Sequence, residues 1–173
     1  EELAPADAPA AAPVAEADPA DGERAMLWVQ KGDKVLTGQL IGQASGYVSA
    51  NIHATVSGTV TAVDGYANGQ GQRRLMVVIK REGDEWVEGI DRSPELKREC
   101  TLSSEEIIAK VREAGIVGLG GACFPTHVKL TPPADCKIDS LVINAVECEP
   151  YLTADYANSM ANPELMRDGA LAL

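Results

Sequence analysis

Around Trp28 the chain settles into short apolar runs broken by Gly, Asn and Asp: MLWVQKGDKVLTGQLIG, YVSANIHATVSGTVTAVDG and RRLMVVIKREGDEWVEG. Val56, Val60 and Val63 stand among Thr and Ser in segments too short for helices, and Gly32-Asp33, Ser57-Gly58 and Asp64-Gly65 offer turn chemistry. This pattern predicts a small all-β module over residues 24–90.

Past a connector at 91–102 the periodicity changes from two to about 3.6. In SSEEIIAKVREAG, Ser103 followed by Glu106 fits a capping box; Ile107, Ile108, Val111 and Ala114 repeat at helical spacing, and Gly115 suits the stop. The Gly-rich stretch GLGGACFPTHVKL follows directly, with a second helix expected to open at Phe124-Pro125-Thr126. After Pro132-Pro133, the continuous apolar run SLVINAVE, residues 140–147, predicts a buried strand of the parallel-sheet kind. Asn162-Pro163-Glu164 then starts a helix with no stop signal before Leu173, so residues 103–173 are expected to be the opening of a longer α/β domain. The fold class expected is mixed α+β: a β module, then part of an α/β domain.

Composition alters this picture at the amino end. Of a formal net charge of -11, seven negative charges fall within residues 1–23, a segment of Ala, Pro and acidic residues without Lys or Arg. Ordering it would cost more entropy than its few apolar contacts return, which predicts a disordered arm. An acidic chain is a poor partner for nucleic acid phosphates. Cys100, Cys123, Cys136 and Cys148 form no C-x-x-C pair and no zinc or iron–sulfur spacing, and are expected to be free thiols in a reducing compartment. No apolar run approaches the ~20 residues of a membrane helix, so any membrane association is expected to come through a partner. His53 has no neighbouring Cys or second His and reads as a packing or surface histidine.

The chemistry concentrates in the Gly-rich loop. Gly118, Gly120 and Gly121 would let backbone N–H groups converge on an anion and let a ligand approach the main chain, with the following helix N-terminus adding a dipole. After Gly121 the chain reads ACF, not the Lys-Ser/Thr of a P-loop. A dinucleotide-binding G-x-G-x-x-G fails too, because Cys123 stands at its third glycine and the preceding element is a helix. Spacing alone leaves a nucleotide-phosphate loop and a structural turn both open.

GIVGLGGACFPTHVKL together with LVINAVECEPYLTAD resembles the flavin- and NADH-binding core shared by the RnfC family and the flavoprotein subunit of respiratory complex I. KGDKVLTGQLIG and SGTVTAV resemble the barrel-sandwich module of biotinyl and lipoyl carriers, which RnfC proteins carry ahead of the flavin domain. The resemblance implies that Gly118, Gly120 and Gly121 shape a loop approaching FMN and the dinucleotide, and that Lys129 reaches the FMN phosphate or ribityl oxygens. It implies that Phe124 stacks on an NADH ring, that Asn144 and Glu147 hydrogen-bond FMN, and that Glu149 lies nearer the nicotinamide nucleotide. It further implies an ion-translocating electron-transport subunit, peripheral on the cytoplasmic face of the membrane. Such a protein would pass electrons between NAD(H), FMN and iron–sulfur centres ligated further along its length, with other membrane subunits and ferredoxin-linked transfer as partners. No catalytic side chain and no metal ligand is expected within this chain.

Two departures from the family pattern carry weight. The family has Gly where this chain has Cys123; a Cβ fits there only if φ is negative and the side chain turns away from the flavin. In addition, the acidic-arginine element after the strand reads ADYANSM, without arginine. These keep open a non-catalytic docking subunit of NqrA type that has lost its flavin. A swinging-arm carrier is a third possibility, disfavoured because GQASGYVSANI, where a carrier's modified lysine would sit, has no lysine.

Overall fold

A computed structural model describes residues 10–13, 25–67, 71, 73–93, 95, 99–119, 122–133 and 135–171. Two antiparallel sheets face each other in the first half. One has β1 (Ala10–Pro13), β7 (Arg73–Arg81), β6 (Gly58–Ala67) and β3 (Lys34–Val35) in the order β1-β7-β6-β3; the other is β2 (Met26–Leu27), β4 (Leu40–Gln43) and β5 (Ile52–His53) in the order β2-β4-β5. Alternation decides the core. Val77 and Ile79 of β7, two residues apart, are buried, and with Val35, Ile41, Ile52, Ala54 and Val60 they fill the space between the sheets. This is the expected barrel-sandwich architecture.

Two details depart from the sequence pattern. Asp64-Gly65 is no turn: β6 runs through it, Gly65 pairs with Leu75, and Arg73 donates from its guanidinium to the Gly65 carbonyl, so the missing side chain admits the Arg73 fork beside the strand. β6 and β7 are connected through residues 68–72, of which only 71 is described. Within the expected arm, Ala10–Pro13 pairs antiparallel with Met76–Ile79 of β7 and covers what would otherwise be a bare sheet edge; the rest of residues 1–23 lies outside the described residues.

Helix α1 (Ser104–Glu113) forms as its punctuation dictates. The Ser103 side chain accepts from the Glu106 amide and the Glu106 carboxylate accepts from the Ser103 amide, a complete capping box. At the other end Ile116 N–H donates to the Val111 carbonyl and Gly115 N–H to that of Arg112, the paired bonds of a Schellman stop, with Gly115 at φ 67. A single turn, α2 (Thr126–Lys129), follows the glycine loop. Pro125 stands one position before it as a buried N-cap without a side-chain bond.

The run 140–147 is not a strand. Among the described residues it has no ladder partner, and Leu141, Val142, Ile143 and Val146 are exposed, Val142 to 87%. A strand apolar on both faces needs neighbouring strands and a helical cover, and no described element supplies either. Helices α3 (Ala154–Ala161) and α4 (Pro163–Leu171) pack only on each other among the described elements; α4 begins at Pro163 as expected, whereas α3 occupies ADYANSMA, where the sequence pattern predicts no helix.

Candidate functional site

The glycine loop is closed at its base. Val117 and Pro125 form an antiparallel bridge, Thr126 N–H donates to the Ile116 carbonyl at 3.0 Å, and Gly118 N–H donates to the Phe124 carbonyl at 2.9 Å. These bonds return the chain on itself, so Lys129 comes back over the loop's start. A Cβ built on Gly118 would lie 2.7 Å from Lys129 Nζ: the ammonium occupies the space that the missing side chain leaves. Among the described residues no carboxylate pairs with Lys129. A positive charge held against bare backbone, open to solvent and without a carboxylate partner among the described residues, suits an anionic oxygen such as a phosphate. The residues present therefore fit the phosphate end of FMN.

Of the other expected site residues, Phe124 is 39% exposed beside this cluster, its ring free to take a planar partner. Gly120 and Gly121 lie outside the described residues. Asn144 accepts from the Val146 amide in a local turn, Glu147 accepts from the Tyr156 amide of α3 at 2.9 Å, and the Glu149 carbonyl accepts from Leu152 N–H. No hydrogen bond or ion pair among the described residues joins Asn144, Glu147 or Glu149 to Gly118, Phe124 or Lys129. The first three stand on a separate exposed segment. The helix dipole expected behind the loop is also small, since α2 has only four residues, so the loop's charge comes from Lys129.

Cys123 overturns an expectation. A side chain there calls for a negative φ, yet its φ is 50, in the left-handed region that glycine occupies freely. The local backbone keeps the conformation of a glycine loop, and the thiol is exposed. Cys123→Gly is expected to stabilise the fold by about 0.5–1 kcal/mol, the relief of left-handed strain less the entropy of the added glycine. Urea denaturation of the two forms reads it, and a lower midpoint for the glycine form would contradict it.

Sequence reasoning missed three residues that mount this loop. The segment 42–52, the tip where a carrier holds its lysine, packs onto α1 and α2. Asn51 accepts from the Ala44 amide with Oδ1, bracing the hairpin, and donates from Nδ2 to the Glu113 carbonyl at 3.0 Å, capping the end of α1. A Cβ on Gly115 would collide with the Asn51 carbonyl, so backbone meets backbone there. His127 on α2 is 2% exposed; its Nε2 lies 2.8 Å from the Tyr47 carbonyl and its ring meets the Tyr47 ring edge-on at 5.8 Å. Between tip and helices runs a cleft of 580 Å³, lined by Tyr47, Asn51, Ile108, Arg112 and His127 among others. The available signal was Tyr47 and Asn51 in a tip that a carrier would leave open.

Known proteins share both halves. Residues 12–84 match the RnfC barrel sandwich hybrid domain and residues 111–173 the Nuo51 FMN-binding domain. The chain is 50% identical over 137 residues to the C subunit of the proton-translocating ferredoxin:NAD(+) oxidoreductase complex of Clostridium ljungdahlii, covering 79% of this chain and 29% of that protein. It is 47% identical over 131 residues to the Na(+)-translocating counterpart of Acetobacterium woodii, covering 74% and 28%. It is 39% identical over 137 residues to the C subunit of the ion-translocating oxidoreductase complex of Haemophilus influenzae, covering 78% and 16%. The chain thus spans less than a third of the length of each of these relatives.

Proposed function

Because the chain belongs to the RnfC family, we propose that it carries the flavin-docking part of an electron-transport subunit linking NAD(H) to ferredoxin within an ion-translocating complex. The observation carrying this reading is the Lys129 ammonium seated against Gly118 with no carboxylate partner among the described residues. In this reading Lys129 binds the FMN phosphate, Gly118, Gly120 and Gly121 admit it to the main chain, and Phe124 supplies an apolar face for a nucleotide ring. Asn144, Glu147 and Glu149 contribute from the exposed 144–149 segment once that segment is brought against the loop. FMN, when bound, supplies the exchange between two-electron and one-electron carriers; the residues here bind and orient it. Iron–sulfur centres, other membrane subunits and attachment to the cytoplasmic face belong to the same proposal. Among the described residues, no helix is long and apolar enough to cross a membrane.

Full-length protein purified anaerobically is expected to hold flavin whose absorbance NADH bleaches. Protein that binds neither FMN nor NADH would defeat the reading. A second reading, a docking subunit without flavin, draws on Cys123, whose side chain projects from a glycine-like conformation within the loop. Flavin present only in the Cys123→Gly form would select it; flavin already present in the native form would remove it.

A further inference from the structure

We propose that His127 is the positioning residue of the flavin loop: by locking α2 onto the tip of the β module, it sets where the Lys129 ammonium stands. The inference rests on the flavin reading above. Helix α2 cannot hold its own orientation, since four residues make one turn without a side-chain cap, far below the length at which helices persist alone. Its placement must come from outside: the Thr126 N–H bond to the Ile116 carbonyl holds its first residue, and the one side chain it buries is His127. Facing a carbonyl, Nε2 must carry the proton and donate, so the imidazole is fixed by a bond at one end and by the Tyr47 ring at its side. Thr131 Oγ1 donates to the His127 carbonyl at 2.8 Å, tying the turn's exit to the same residue. Two positions along a helix lie about 200° apart around its axis. With His127 pressed into the module, Lys129 therefore faces the opposite side, where Gly118 leaves room. The barrel-sandwich tip, unmodified, acquires a role: it is the mount that aims the phosphate-binding cation.

A double-mutant cycle on the full-length protein tests this, with FMN affinity read by flavin fluorescence and amide hydrogen exchange of Val128 and Leu130 read without flavin. His127→Ala is expected to weaken FMN about tenfold and to quicken exchange at both amides, and His127→Gln, which keeps a donor, to restore most of each. In a Lys129→Ala background the same His127→Ala change should alter affinity by less than about twofold, because the cation it positions is gone. Equal losses in both backgrounds, or unchanged exchange, would overturn the positioning role while leaving the flavin assignment intact. If Lys129→Ala alone leaves FMN affinity unchanged, the assignment of Lys129 to the FMN phosphate fails and takes this inference with it, while absence of FMN binding from the unmutated protein would defeat the flavin reading itself. Should His127→Ala not fold, Tyr47→Ala strips the ring contact but keeps the carbonyl. The cycle then runs on it with an expected loss of about threefold, and no loss counts against the proposal.

Discussion

Gly118→Ala is expected to weaken FMN binding by about 10- to 100-fold, the worth of a charge-assisted hydrogen bond, with almost no change in thermal stability. Both halves follow from what the new methyl would meet. Its nearest neighbour is the end of a flexible lysine, 2.7 Å away, and Gly118 itself has no positive φ, so the fold accommodates alanine by moving the ammonium aside. The displacement falls on the one group placed to receive the phosphate. Isothermal titration with FMN and a melting curve on the same sample check the pair. A large drop in melting temperature would show that the glycine serves folding, and unchanged affinity would show that Lys129 does not hold the ligand.

Gly58→Ala should have the opposite signature: loss of the β module itself, by about 3 kcal/mol or more. Gly58 has φ 152 and opens β6, paired with Arg81 of β7 and Val35 of β3. A Cβ there would run into the Lys80 carbonyl and come within 2.9 Å of the Glu82 amide, main-chain atoms of the longest strand pair that cannot swing away. A domain of this size is stable by only about 5–15 kcal/mol. Denaturant unfolding followed by the fluorescence of Trp28 and Trp86 measures the change, and a loss below about 1 kcal/mol would contradict the backbone clash.

Features decided within a few residues were legible in the sequence. The capping box of Ser103 and Glu106, the stop at Gly115 and the start at Pro163 are local chemistry, and each lies where its residue types put it. The short apolar runs that become β6 and β7 were legible as strands for the same reason. Residues whose state depends on distant partners were not. SLVINAVE has a buried strand's composition, but burial is a property of neighbours, and none of the described elements covers it. Asp64-Gly65 has a turn's composition, yet β7 extends far enough to pair through it. At the site, Lys129 and Gly118 were marked by resemblance, and their mutual contact needed the loop closed by Val117 and Pro125. Asn51 and His127 escaped because their partners are backbone carbonyls 62 and 80 residues away, and a carbonyl leaves no mark on residue type.

The joint at Gly115 has a mechanical meaning. Where two bodies meet through long side chains, thermal rotation about several bonds lets one wander against the other by ångströms. Here the Gly115 backbone abuts the Asn51 carbonyl, with the Asn51 amide fastened to the last turn of α1, so the seat is a hard stop with no lever arm in it. The rate at which an electron hops between carriers falls steeply with their separation. A redox group cradled beside such a stop would keep its spacing through the molecule's thermal motion, and the β module would act as a surveyor's benchmark for the chain that follows.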